Sequence, residues 1–299
     1  MRAGVADTAD LSPDIPADWP HADCSTFVNA AGLRWHVQRA GRGPAIVLVH
    51  GTAGATHTWR TLLPLLTPWA DVVAFDLPGH GFTTGATADQ LSLAGMTDAV
   101  GALLRTLDVR TRVGVGHSAG AAVLLQLASS RGVTPESIIG VNSALVSVNA
   151  LGQLLQPFSR ALFDVESVRS AVAALLRNGT VARTLLRSTG SPLDAVQEAR
   201  YVAMLTDETR VGAILRMMAR WDLPALAARF PSITVPVTLV HSSNEPWVPF
   251  DTLLDITKSL PMRSVIDLAP AGHLIPDEQP QRLADIIGSV FAALTARTG

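Results

Sequence analysis

Val113-Gly114-Val115-Gly116-His117-Ser118-Ala119-Gly120-Ala121-Ala122-Val123-Leu124-Leu125-Gln126-Leu127 is the stretch that decides how the rest of the chain reads. A short apolar run leads to a serine set between glycines, and an apolar, helix-like segment follows. This is the pattern of a strand-to-helix turn that presents a nucleophile. So sharp a turn forces strained backbone angles on the serine and crowds the positions two residues to either side. Glycine at 116 and 120 relieves that crowding. The turn also aims the amino end of a helix at the serine, where it favours developing negative charge. An enzyme is implied before any other feature is considered.

Outward from this turn, short apolar runs alternate with helical patterns. Residues 25–28 and 33–38 read as two strands about the turn Ala31-Gly32. Ala45-Ile46-Val47-Leu48-Val49 is continuously apolar, as a strand buried on both faces of a parallel sheet must be. Further apolar runs fall at 72–75, 113–115, 138–141, 237–240 and 264–268, with helical periodicity at 91–107 and 282–294. The alternation predicts an α/β fold with a mostly parallel, doubly wound sheet of eight strands. It lapses between about 149 and 231, a helix-rich stretch punctuated by Pro157, Gly179, Gly190-Ser191-Pro192 and Pro224. The expected division is an N-terminal tail at 1–24, a core at 25–148 and 232–299, and a helical lid at 149–231 after the sixth strand.

Composition narrows the function classes. The 299 residues are 48% hydrophobic and 16% charged, enough to bury a large core and too apolar for disorder. A net charge of −2 offers no electrostatic reason for a nucleic-acid partner. Cys24 is the single cysteine, so neither an intrachain disulfide nor a thiolate metal site can form. The acidic, proline-bearing start, with Asp7, Asp10, Asp14 and Asp18, lacks the pattern of a secretory signal, and no membrane span is indicated. A bacterial cytoplasmic protein, or one peripheral to a membrane, is expected. The histidines show no His-x-x-x-His spacing and the glycine turns no Gly-Lys-Ser/Thr, so neither a metal nor a phosphate cofactor is expected.

A serine hydroxyl becomes a good nucleophile only when a base takes its proton and a third group orients that base. In folds of this kind the order along the chain is serine, acid, histidine. His273, in Ala271-Gly272-His273-Leu274, follows the last strand and is the expected base. The acid should follow the preceding strand, where Ser242-Ser243-Asn244-Glu245-Pro246-Trp247 contains one carboxylate, Glu245; Asp251 is the reserve. Asn142 occupies the alternative acid position after the sixth strand, but an amide cannot stabilise an imidazolium as a carboxylate does. Oxyanion donors are expected from the amide of Ala119 and from the turn His50-Gly51-Thr52-Ala53-Gly54, at Thr52 or else Ala53. Met217, Met218 and Trp221 could line an apolar pocket, or be lid core.

His50-Gly51, Asp76-Leu77-Pro78-Gly79-His80-Gly81, the elbow at 116–120, Glu245 and Gly272-His273 together resemble the α/β-hydrolase superfamily, from Phe27 onward. The resemblance implies a serine hydrolase acting on an ester or similar acyl bond and makes Asp76 to Gly81 a structural turn. Several further segments are similar to the magnesium-chelatase accessory proteins of bacteriochlorophyll synthesis. They are Asp18-Trp19-Pro20, residues 32–38, 77–83 and 116–122, Thr189-Gly190-Ser191-Pro192-Leu193-Asp194 and Met217-Met218-Ala219-Arg220-Trp221-Asp222-Leu223. That similarity implies a photosynthetic bacterium, an apolar substrate of tetrapyrrole type and contact with magnesium chelatase. It also leaves room for an accessory, tetrapyrrole-binding role. The same triad serves cofactor-free oxygenation or perhydrolysis in other chains, whereas serine at 118 argues against a dehalogenase.

Overall fold

The apolar run at 45–49 forms β3 (Ala45–Val49), and all five residues are buried. Alternate side chains point to opposite faces, so Val47 and Val49 join one apolar cluster while Ile46 and Leu48 join another. A strand covered on both sides needs apolar residues at every position, which is why no alternation shows in the sequence. The computed structural model describes residues 15–130, 132–145, 163 and 165–296.

Eight strands form one sheet: β1 (Ser25–Ala30), β2 (Leu33–Gly41), β3, β4 (Asp71–Phe75), β5 (Thr111–His117), β6 (Ser137–Val141), β7 (Val237–His241) and β8 (Arg263–Asp267). Their spatial order is β1-β2-β4-β3-β5-β6-β7-β8. The first two ladders, β1 with β2 and β2 with β4, are antiparallel, and the remaining five are parallel. From β3 the chain moves outward to β4, then returns across β3 to build β5 through β8. That reversal leaves a crevice beyond the carboxyl ends of β3 and β5, where ligands bind in sheets of this type.

Helices α1 (Leu63–Leu66) and α2 (Leu93–Thr106) follow β3 and β4, and α3 (Ala119–Ser129) follows β5. Between β6 and β7 lie α4 (Glu166–Leu176), α5 (Gly179–Arg187), α6 (Ala195–Thr206), α7 (Glu208–Arg220) and α8 (Leu223–Ala227). Side chains of Asn178, Asp194, Asp207 and Asp222 cap the starts of the last four by accepting from amides in the first turn, satisfying donors a helix leaves open. The chain ends through α9 (Phe250–Thr257), α10 (Ile275–Glu278) and α11 (Pro280–Ala296). The cluster on one sheet face includes Met96, Val100 and Leu103 of α2 and Leu124 of α3. The other includes Leu283 and Ile287 of α11.

One grouping is refined on this frame. Residues 15–24, grouped with a tail, dock on the core: Trp19 is buried, its indole N–H donates to Thr56 Oγ1 at 3.0 Å, and Gln38 Nε2 donates to Pro20 O at 2.7 Å. A buried indole needs an acceptor, and the turn after β3 supplies one. The first fourteen residues of that tail and the beginning of the predicted lid, 146–162, lie outside the described residues. Among the described residues no helix is long and apolar enough to cross a membrane.

Asp76, at the end of β4, is fully buried and accepts from Thr56 N at 2.7 Å, Phe82 N at 2.8 Å and His36 Nδ1 at 2.7 Å. Burial opposes its charge, but His36 and the Phe82 amide outweigh it and hold the carboxyl at about 2. A carboxylate committed to three donors ties the turns after β3 and β4 together.

Candidate active site

Ser118 joins β5 to α3 with φ 52° and ψ −116°, a region an L-residue occupies only under strain. A Cβ on Gly116 would lie 2.5 Å from the Ala121 nitrogen, and one on Gly120 only 2.1 Å from the Val49 carbonyl oxygen. A Cβ on Gly51 would lie 2.7 Å from Ser118 Cβ itself. The serine is thus crowded by its own helix, by the end of β3 and by the turn that follows β3. Its backbone is also tied: Ser118 N donates to Val141 O at 2.9 Å, and Ser118 O accepts from Ala144 N at 3.1 Å.

His273 follows β8 and brings Nε2 to 3.0 Å from Ser118 Oγ. Both residues are buried, at 3% and 6% exposure, so the contact is shielded from bulk water. With the ring proton on Nδ1, Nε2 is free to accept from the hydroxyl. The His273 carbonyl accepts from His117 Nε2 and from Asn142 Nδ2, each at 2.9 Å. Burial pushes His117 down to about 3, and neighbouring His273 acts in the same direction. A neutral His117 places no positive charge beside His273. The Trp247 ring lies against the His273 imidazole with centroids 5.0 Å apart.

Glu245 Oε1 sits 3.3 Å from His273 Nδ1, and the Glu245 side chain is fully buried. The approach is within ion-pair range but not aligned as a hydrogen bond, and among the described residues Nδ1 has no hydrogen-bond partner. Amides of Trp247 and Val248 hold the two carboxylate oxygens, the second at 2.7 Å. Asp251 is instead exposed in the first turn of α9. Asn142 bridges three segments: its Nδ2 donates to Gly272 O at 3.0 Å and to His273 O, and its Oδ1 accepts from Ser242 N at 3.1 Å.

The turn after β3 is braced by His50, whose Nδ1 donates to Gly51 O at 2.8 Å while Nε2 accepts from Leu77 N at 2.9 Å. Gly54 N closes it on Gly51 O at 3.0 Å. Thr52 is exposed at its tip, and Ala53 is half-buried with φ 58°. Ala119 opens α3, so its N–H has no partner within the helix.

Met217, Met218 and Trp221 do not form a common pocket wall. Met217 and Trp221, at 2% and 6% exposure, pack into the main core, and the Trp221 indole donates to Leu91 O at 3.2 Å. Met218 is 49% exposed. Adjacent helical residues are separated by about 100° around the axis, so a pair at 217 and 218 cannot share one wall. Sequence reasoning missed Trp247 as the ring packed on His273, and Asn142 as a tether. Neither has a spacing signature, because each acts across more than 20 residues of chain. Among the described residues no group of three or more His, Cys, Asp or Glu side chains is gathered as a metal ion would need.

Known proteins resemble this chain. The profile described as the alpha/beta hydrolase family matches residues 46–286. The Magnesium-chelatase 30 kDa subunit of Rhodobacter capsulatus is 30% identical over 276 residues, covering 91% of this chain and 96% of the relative. Among solved structures, an alpha/beta hydrolase fold protein from Burkholderia ambifaria superposes with a TM-score of 0.71 at 22% identity, over 88% of this chain and 97% of that one. The DbeA-M1 loop variant of a haloalkane dehalogenase from Bradyrhizobium elkanii gives 0.72 at 19% identity, over 92% and 98%. At such identities the structural likeness speaks for the fold alone.

Proposed function

The chain belongs to the alpha/beta hydrolase family, and on that premise we propose that it is a serine hydrolase acting on an ester or related acyl bond. Ser118 is the nucleophile, His273 the base, and Glu245 the group that orients it. The observation that carries this reading is the 3.0 Å contact of Ser118 Oγ with His273 Nε2.

Ser118 Oγ attacks the acyl carbon as its proton passes to His273 Nε2. The imidazolium that forms is stabilised by Glu245 beside Nδ1. N–H groups of Thr52 and Ala119 receive the oxyanion, where donors set in advance cost no reorganisation. His273 then returns the proton to the leaving alcohol, and an acyl group remains on Ser118. A water gives its proton to the same nitrogen and attacks the acyl carbon; as the acyl–oxygen bond to Ser118 breaks, His273 returns that proton to Ser118 Oγ and the acid leaves. Helices α4 to α8 form a lid over an apolar acyl substrate, and the protein works in the cytoplasm without a cofactor.

Ser118→Ala is expected to lower turnover of p-nitrophenyl butyrate by roughly 10³-fold or more. The melting temperature should be unchanged, and labelling by a fluorophosphonate probe should disappear. Undiminished turnover would end the assignment.

A second reading is favoured by the similarity to the Magnesium-chelatase 30 kDa subunit. In it the chain assists magnesium chelatase by holding a flat, apolar tetrapyrrole, and the triad is secondary. A strain carrying Ser118→Ala separates the two: continued bacteriochlorophyll synthesis with a serine that labels in the parent protein favours the binding role.

A further inference from the structure

The loop that delivers His273 is held on both flanks by the segment between β6 and β7. His273 N–H donates to Thr189 O at 2.9 Å, and the next amide, that of Leu274, donates to Ser191 Oγ at 2.8 Å. Gly272 presses on the same turn so closely that a Cβ there would lie 2.6 Å from the Gly190 carbonyl carbon and the Ser191 nitrogen. Glu278 closes the arrangement. It accepts from the Ser191 hydroxyl at 2.5 Å and from Gly272 N–H at 2.9 Å and 3.0 Å on its two oxygens. All three backbone N–H groups from 272 to 274 are therefore taken by residues 189 to 191 or by Glu278.

Ser191 is the pivot of this clasp. Its single hydroxyl proton goes to Glu278, which holds the Gly272 amide, and its lone pair takes the Leu274 amide, so it bears on the backbone at the residues flanking His273. The same short helix, α10, grips the inserted segment a second time. Asp277 Oδ1 accepts from Gln197 Nε2 at 2.9 Å, and Asp277 Oδ2 accepts from Tyr201 OH at 3.0 Å, both donors lying on α6.

We propose that Ser191, buttressed by Glu278, is a positioning residue for His273, so that the imidazole reaches Ser118 only while the helical segment between β6 and β7 is docked. The proposal rests on the serine hydrolase reading in naming His273 the base. The hydroxyl of Ser191 sets the direction of the 273–274 backbone, and that direction sets the imidazole. A displacement of the ring by a fraction of its 3.0 Å contact with Ser118 breaks the proton transfer.

The test compares Ser191→Ala, Ser191→Thr and Glu278→Ala with the parent protein. Three quantities are followed: the fluorophosphonate labelling rate of Ser118, kcat and KM for p-nitrophenyl butyrate, and the imidazole NMR resonances of isotope-labelled histidine. The His273 signal is assigned by its loss in His273→Ala. Ser191→Ala is expected to slow labelling and lower kcat by roughly 10- to 100-fold, with KM and melting temperature unchanged and the His273 resonance alone displaced. Ser191→Thr keeps the hydroxyl and should restore kcat. Glu278→Ala should match the loss, and combining it with Ser191→Ala should add nothing, because the two act as one unit. Labelling at the parent rate with an unmoved His273 resonance in Ser191→Ala overturns the proposal. So does a shared fall in melting temperature that Ser191→Thr does not rescue. If the parent protein does not label while Ser191→Ala still displaces the His273 resonance, the hydrolase reading fails and the positioning role stands.

Discussion

Ser118 and His273 lie 3.0 Å apart, yet different physics holds each of them. Ser118 is confined by repulsion: Gly116, Gly120 and Gly51 mark three directions in which a single added carbon would overlap backbone or the serine itself. His273 is held by attraction, through hydrogen bonds to Thr189 and from His117 and Asn142, with Ser191 and Glu278 on its neighbours. Repulsion between close backbones is stiff and needs few residues. A cage of hydrogen bonds is softer, each member contributing about 1 kcal/mol net, and it draws on distant segments. The setting of Ser118 is therefore a property of one turn, and that of His273 a property of several segments folded together.

Three substitutions can break or sharpen that contrast. Gly120→Ala should have the largest effect, because its methyl would lie 2.1 Å from Val49 O. The strand-to-helix turn would have to open, with a loss of about 3 kcal/mol in urea denaturation and of the fluorophosphonate label. A variant of parent stability would show that the elbow is less tightly confined than the contacts imply. Asn142→Ala removes donors to Gly272 O and His273 O together with the acceptor for Ser242 N. It should cost roughly tenfold in kcat/KM for an activated ester, or about 1.4 kcal/mol, while Ser118 stays in place.

The smallest effect concerns the clasp at α10. Burial pushes the Asp277 carboxyl up to about 7, outweighing the Arg60 guanidinium and the donors Tyr201 and Gln197. The folded chain thus holds a proton there between about pH 4 and 7 that the unfolded chain releases. Stability from this group is present below the unfolded value and declines as pH rises toward 7. Asp277→Asn cannot titrate, so its stability difference between pH 5 and pH 8 should shrink by on the order of 1 kcal/mol relative to the parent. Parallel pH profiles in urea would show that Asp277 is charged throughout.

The contrast also explains what was legible beforehand. The eight strands could be read one by one, because each burial pattern reflects its own residues: β3 is buried throughout, while β8, at the edge, is half-covered. The elbow could be read because its glycines answer clashes within a few residues. The geometry now sets Glu245 Oε1 3.3 Å from His273 Nδ1. Met217, Met218 and Trp221 could not be resolved into wall or core, since a helix tells only which residues share a side and not what that side meets. The docking of Trp19 on Thr56 was equally hidden, joining residues separated by 37 positions.

By itself the sequence determined a mostly parallel α/β sheet and the position of a serine at its strand-to-helix turn. Both follow from local rules: side-chain periodicity, backbone crowding and the steric freedom of glycine. Only the tertiary structure decided that the segment between β6 and β7 reaches the Leu274 amide beside His273 through Ser191, that Glu278 closes the clasp and that Asn142 ties three loops together. Such hydrogen bonds depend on where distant polar atoms come to rest once two apolar clusters have packed against the sheet. The information sits in the packing and leaves no mark on any short stretch of chain.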